Sequence, residues 1–380
     1  MNCRYGLDRS PGPTASTINQ PVTTASAIGL ELSSRLRLLS LIGIIQVVVI
    51  HACNLTINFR DEPLRIFVPG VRWIELSISY GLCNTAVPLF FMISGYLLCA
   101  TVPKSTISFH RQWFIKLRAR AKSLLIPYGM WSVSAFVAWL AFQRIPAIAT
   151  FFTGRYALSD SPMAVLKALA LNPLAGQFWF IRALCAFVLV LPFIYQCCRS
   201  WPKLTLAVLT TAWVLRFDAF LISSEGLLFF TLGVLAALKR WQPGTPRQRP
   251  VRPGLAVTLW LVLSACRGLL LDTVGDSAPA YLIGIVSVPV GIWALYNLCC
   301  RLPERYRPEL LWISQFTFMI FAAHQPLLAL IQKVVLHAWP SLLLATYFAA
   351  PIITIGVVVF CAYMLKRSAP AVYALYAGGR

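Results

Sequence analysis

The chain has 380 residues, 58% of them hydrophobic and 12% charged, with mean hydropathy +0.72 and formal net charge +21. A soluble domain carries about 25% charged residues, so one polytopic membrane domain is expected rather than two soluble ones. The 13% aromatic content excludes a disordered chain, and the low charge density excludes a soluble nucleic-acid binder.

Residues 1–33 come first, with Pro11, Pro13, Thr14, Ser16, Thr17, Pro21, Thr23 and Thr24, and read as a polar, disordered cytoplasmic tail. The tail lacks the basic start, apolar middle and small-residue cleavage site of a signal peptide, so the run that follows reads as an uncleaved first span. A membrane-spanning helix needs about 20 mostly apolar residues. Eight runs meet that length clearly: Leu38–Ile57, Ile74–Thr101, Leu124–Phe142, Phe178–Cys198, Ala219–Leu238, Ala278–Cys300, Leu310–Leu336 and Ser341–Leu365. Two are weaker: Leu204–Leu215 is short enough to be re-entrant or tilted, and Gly254–Leu271 contains Arg267. The runs are continuous rather than alternating, which disfavours a barrel. The expectation is an all-α integral membrane bundle of about ten transmembrane helices. The membrane domain covers residues 34–368, and a short cytoplasmic tail covers 369–380.

The charge then has a location. With the N-terminus inside and ten spans assumed, about two-thirds of the 33 lysines and arginines fall on the inner loops. That asymmetry predicts an N-in, C-in topology. The eleven cysteines follow no disulfide logic. Cys53, Cys83, Cys99, Cys185, Cys266 and Cys361 lie inside spans as small hydrophobes. The pairs Cys197–Cys198 and Cys299–Cys300 sit at inner ends and read as packing, with palmitoylation the alternative. No metal-ligand spacing appears. The sequon Asn54-Leu55-Thr56 falls at the end of a span and reads as accidental, and no internal repeat is evident.

Polar groups inside spans are costly and therefore candidates for function. His51 follows the apolar run Val47-Val48-Val49-Ile50, and an imidazole there can take a proton from a hydroxyl near neutral pH. The competing reading is a buried histidine bonded to a neighbouring helix. His324, in Phe321-Ala322-Ala323-His324-Gln325-Pro326, sits where proline frees a backbone carbonyl; it either lines a cavity or satisfies the broken helix. Arg182, in Phe178-Trp179-Phe180-Ile181-Arg182, either snorkels to the interface or contacts a ligand. The loop after the second span holds Lys104, His110, Arg111, Lys116, Arg118, Arg120 and Lys122, which serve topology and anionic lipid by default. A phosphate-bearing cytosolic ligand would use the same charges.

Four stretches together resemble the membrane-bound acyltransferase family three, the bacterial integral-membrane O-acyltransferases of cell-surface glycans. They are Leu39–Ala52, LSLIGIIQVVVIHA; Val87–Leu98, VPLFFMISGYLL; the basic run ending in Leu124-Leu125-Ile126-Pro127-Tyr128; and the pair Phe178–Leu184, FWFIRAL, and Ile313–Leu327 with its His-x-Pro. The resemblance implies a ten-helix bundle in the bacterial cytoplasmic (inner) membrane. Acyl-CoA, with acetyl-CoA the expected donor, would enter from the cytoplasm, and the acyl group would reach a sugar hydroxyl on the outer side. Exopolysaccharide, O-antigen and peptidoglycan all remain open as the glycan or lipid-linked glycan acceptor. The implied partners are acyl-CoA, the acceptor, the bilayer and other polysaccharide assembly proteins. His51 matches the family's catalytic histidine, and Arg120 matches an arginine of the basic run.

The chain also departs from the pattern. Ser40 stands where the family usually has an arginine eleven residues before the histidine, and Ser123 replaces a second basic residue. Arg37 lies one turn before Ser40 on the same helical face, about 21 Å along the axis from His51, and is expected to substitute in holding CoA phosphate. Lys122, beside Ser123, is expected to compensate likewise, and Arg118 completes the expected donor-binding set. In the expected mechanism His51 acts as general base, with a covalent acyl-histidine relay as a variant. Arg182 or His324 orients the acceptor or stabilises the oxyanion. The rival classes are a transporter or flippase of a lipid-linked glycan, and an inactive paralogue serving as receptor or assembly partner.

Overall fold

A computed structural model describes residues 24–54, 56–58, 63–65, 70–100, 106–142, 144–145, 176–219, 222–239 and 253–379. A helix occupies each of the ten apolar stretches. In chain order they are α1 (Thr24–His51), α2 (Val71–Leu76), α3 (Ala86–Cys99), α4 (Thr106–Arg120), α5 (Ile126–Phe142), α6 (Trp179–Ser200) and α7 (Pro202–Val214), followed by α8 (Ser224–Leu238), α9 (Pro253–Thr273), α10 (Ala278–Cys300), α11 (Arg307–Ser314), α12 (Thr317–Ala338), α13 (Leu343–Ser368) and α14 (Pro370–Ala377). Seven segments among the described residues are long and apolar enough to cross a membrane, from Glu31–His51 to Pro340–Ser368, and Ser224–Leu238 is a shorter apolar helix. The expected run Leu310–Leu336 is two helices, because α11 ends at Ser314 and α12 begins at Thr317. A short antiparallel hairpin, β1 (Thr56–Asn58) with β2 (Pro63–Arg65), lies in the connection after α1.

In the described residues part of each expected tail is helical. Helix α1 begins at Thr24, so residues 24–33 are helical rather than a disordered tail, while residues 1–23 lie outside the described residues. No proline follows Pro21 there, and Ala25, Ala27 and Leu30 are strong helix formers. Glu31 anchors the segment: it accepts from Arg35 at 2.8 Å and from Arg307 of α11 at 3.2 Å. At the other end, α14 replaces the short tail. Its Tyr373 and Ala377 are buried, Trp131 Nε1 of α5 donates to the Tyr376 carbonyl at 3.1 Å, and the Tyr376 hydroxyl lies 2.7 Å from Ser134 Oγ. Apolar and aromatic residues spaced every three or four positions made this a packable face despite its terminal place.

Helices α3 and α8 meet most closely. A Cβ on Gly95 would run into the backbone of Phe230, and one on Gly233 into that of Met92. Small residues at facing positions let two membrane helices approach where no hydrophobic driving force pulls them together. Helix α1 runs antiparallel to α3 and the turns that lead into it: Ser79 Oγ bonds the Val49 carbonyl, Gln46 Nε2 bonds Thr85 Oγ1, and Gly43 abuts Phe90 of α3.

Candidate active site

One face of α1 lines a cavity of about 860 Å³. Gly29, Leu32, Ser33, Leu36, Arg37, Ser40, Val47, Ile50 and His51 all border it, at the three- and four-residue spacing of one helical face. From Gly29 to His51 that face is about 33 Å long. Helix α3 lies across from it, Phe90 to Ala100; Arg120 and Leu124 close one end, and Gln177, Trp179 and Phe180 border the other. The cavity thus joins a cationic end to a histidine end.

At the cationic end Arg37 donates from Nε to Ser314 Oγ at 3.2 Å and from a terminal nitrogen to the Leu311 carbonyl at 2.8 Å. Both partners are neutral. Among the described residues no carboxylate pairs with Arg37 or Arg120, whereas Arg35, Arg72, Arg216 and Arg307 each have one. Ser40, at the departure from the family pattern, turns its hydroxyl to the Leu36 carbonyl at 2.8 Å and borders the cavity beside Arg37. Arg120 ends α4 where the chain switches to the π-helical turn Ala121–Leu125, a local unwinding of the kind often found at functional sites. The basic run is divided there. Arg118 is exposed, its guanidinium 4.7 Å from the Phe114 ring centroid, and Lys122 is exposed; neither borders the cavity. About half a turn of helix separates residues that look alike in sequence.

At the other end α1 terminates on His51, and the chain beyond it is tightly held. Gln332 Nε2 donates to the Ala52 carbonyl at 2.6 Å, and the Asn54 N–H donates to the buried Glu75 carboxylate at 3.0 Å, which the Asn54 amide also faces. Asn54 is 2% exposed, so the sequon is inaccessible. His324 of α12 places its ring centroid 5.2 Å from that of His51, tilted by 44°. Its Nδ1 lies 2.8 Å from the Phe321 carbonyl and 3.0 Å from that of Ile320. Carbonyls only accept, so Nδ1 carries the proton and Nε2 keeps its lone pair. That Nε2 is buried and has no partner among the described residues. In its neutral form His324 is an acceptor at Nε2, which fits an orienting role.

Arg182 lies in the first turn of α6, with its Nε buried and unpartnered among the described residues; its neighbours Trp179 and Ile181 border the cavity and Arg182 does not. The geometry adds residues that sequence reading passed over: Gln177 on the cavity wall, and Glu75 and Gln332 behind His51. The signal for Glu75 and Gln332 was a strongly polar side chain within an apolar run. Gln177 had none, because it sits in a 3-10 turn before α6 begins.

The family described as the acyltransferase domain matches residues 35–366. The succinoglycan biosynthesis protein ExoH of Rhizobium meliloti (strain 1021) is 25% identical over 359 residues, covering 92% of this chain and 93% of that protein. No solved structure matches the chain.

Proposed function

The chain belongs to the acyltransferase domain family, and from that premise we propose that it is an integral-membrane O-acyltransferase, acetyl in our reading. It moves the acyl group from cytosolic acyl-CoA to a sugar hydroxyl of an exported or cell-surface polysaccharide or its lipid-linked precursor. A relative named for succinoglycan biosynthesis, matched over nearly its whole length, supports a polysaccharide acceptor. The bundle crosses the bacterial cytoplasmic membrane about ten times with both termini on the cytoplasmic side, because the basic residues concentrate on alternate loops.

The observation that carries this reading is the single cavity bordered by Arg37, Arg120 and His51. Arg37 and His51 are about 21 Å apart along α1, the scale of an extended pantetheine arm. Two arginines without carboxylate partners suit the CoA phosphates, since a guanidinium binds phosphate through its fork of donors. With the phosphates held there, the thioester lies beside His51. His51 removes the proton as the sugar oxygen attacks the thioester carbon. The C–O bond forms, the C–S bond breaks, and the proton passes from His51 to the departing CoA sulfur. His324 stands beside His51, with 5.2 Å between ring centroids and its Nε2 unpartnered among the described residues, and in this reading it orients the reacting groups. Arg118 and Lys122 are left to the anionic lipid surface.

The test uses purified full-length protein in vesicles with radiolabelled acetyl-CoA. The enzyme reading expects release of free CoA and transfer of label to polysaccharide. Intact acetyl-CoA with every acceptor would leave transport of a lipid-linked glycan as the better account.

A further inference from the structure

Gln177 performs one visible task and is equipped for a second. Its Nε2 donates to the Ala322 carbonyl at 3.0 Å. Ala322 stands four residues before Pro326, inside α12, and proline has no N–H to return to that carbonyl. Gln177 supplies the missing donor across the gap between two elements. The bond also orients the amide: with nitrogen committed to Ala322, the oxygen points elsewhere. That Oε1 is buried and has no partner among the described residues, and Gln177 as a whole is 2% exposed.

Around it the cavity is apolar. Val47, Ile50, Val87, Phe90, Phe180 and Phe321 border this end, and the polar side chains among them are His51 and Gln177. A second orphan lies close by. Gln325 Oε1 is buried without a partner among the described residues, 3.9 Å from where a Cβ on Gly176 would stand, but Gln325 does not border the cavity. Both orphans are acceptors. A buried acceptor left unmade costs about 1–3 kcal/mol, so a ligand rich in donors recovers energy here. Trp179, 40% exposed, borders the same space and offers a broad apolar ring.

We propose that Gln177 and the face of Trp179 form the acceptor subsite, for a polyhydroxylated sugar ring. One ring hydroxyl donates to Gln177 Oε1, the ring lies on the indole, and an adjacent hydroxyl meets His51. The subsite rests on the acyltransferase reading and adds to it which residues recognise the acceptor. The thioester and a short acyl chain carry no donors, so the donor substrate does not satisfy this oxygen at the reacting end.

The experiment uses the full-length protein in vesicles, acetyl-CoA, and surface polysaccharide of the producing cells stripped of its esters by mild alkali. Gln177→Met keeps the shape and removes the acceptor. It is expected to raise the KM for polysaccharide about 10-fold, with the KM for acetyl-CoA unchanged. Pro326→Ala restores an N–H for Ala322, so it separates the two tasks: Gln177→Met with Pro326→Ala should remain impaired. Recovery in that double variant would assign Gln177 to helix repair alone and overturn the subsite, as would a rise in the acetyl-CoA KM or an unchanged polysaccharide KM. No CoA release by the parent protein would remove the acyltransferase reading and the subsite together.

Discussion

Arg216 grips both carboxylate oxygens of Asp276, at 3.0 and 3.1 Å, with its guanidinium 3.9 Å from the Tyr281 ring centroid. Arg37, on the cavity wall, meets a hydroxyl and a backbone carbonyl. The first cation is neutralised within the chain, and its charge serves local structure. The second keeps its charge available, and so does Arg120, with no carboxylate on either among the described residues. A strongly basic chain thus separates into arginines that are spent on structure and arginines that face an anion-sized space. The contrast implies that ligand and salt act at the cavity, while pH acts at the paired site.

His51→Ala should have the largest effect: loss of acyl transfer by at least about 100-fold with unchanged membrane insertion, read from label on polysaccharide and protein level in the membrane fraction. Full transfer by that variant would dissolve the link between the two ends of the cavity. Arg37→Ala is expected to raise the acetyl-CoA KM by about 10- to 100-fold. Arg37→Lys should recover only part of that, because an ammonium lacks the bidentate fork. Rising ionic strength should raise the same KM in the parent protein and less so in Arg37→Ala, as screening acts on a charge the variant has lost.

Asp276→Asn gives the smallest expected effect. The hydrogen bond from Arg216, the main cause, holds the Asp276 carboxyl below its usual value. A carboxyl lowered in the folded state stabilises at pH above its ordinary value of 3.8, and that stabilisation is lost as pH falls from there through the folded value. Exposed ion pairs are screened and weak. Thermal unfolding of Asp276→Asn should therefore match the parent protein within a degree or so near neutral pH. A large destabilisation would show that the paired arginine carries more of the fold than its exposure suggests.

The apolar stretches, the polar intrusions at His51 and His324, and the shared face of Arg37 and His51 were all legible in the sequence, since each depends on spacing along one helix. Other features depended on partners distant in sequence. Gln177 owes its orientation to a carbonyl freed by Pro326, 149 residues away by position (326 minus 177). Arg120 and Arg118 differ by two residues, and only the fold decides which one reaches the cavity. Residues 24–33 and 369–377 looked like tails because their contacts lie on α11 and α5.

By itself the sequence determined that this is a helical membrane protein with a histidine at the end of one span, because hydropathy and helical period are local properties. The tertiary structure alone decided that the histidine shares one cavity with two carboxylate-free arginines and one orphaned amide oxygen. Cavities and missing partners exist only between elements, and a linear pattern does not record which faces meet.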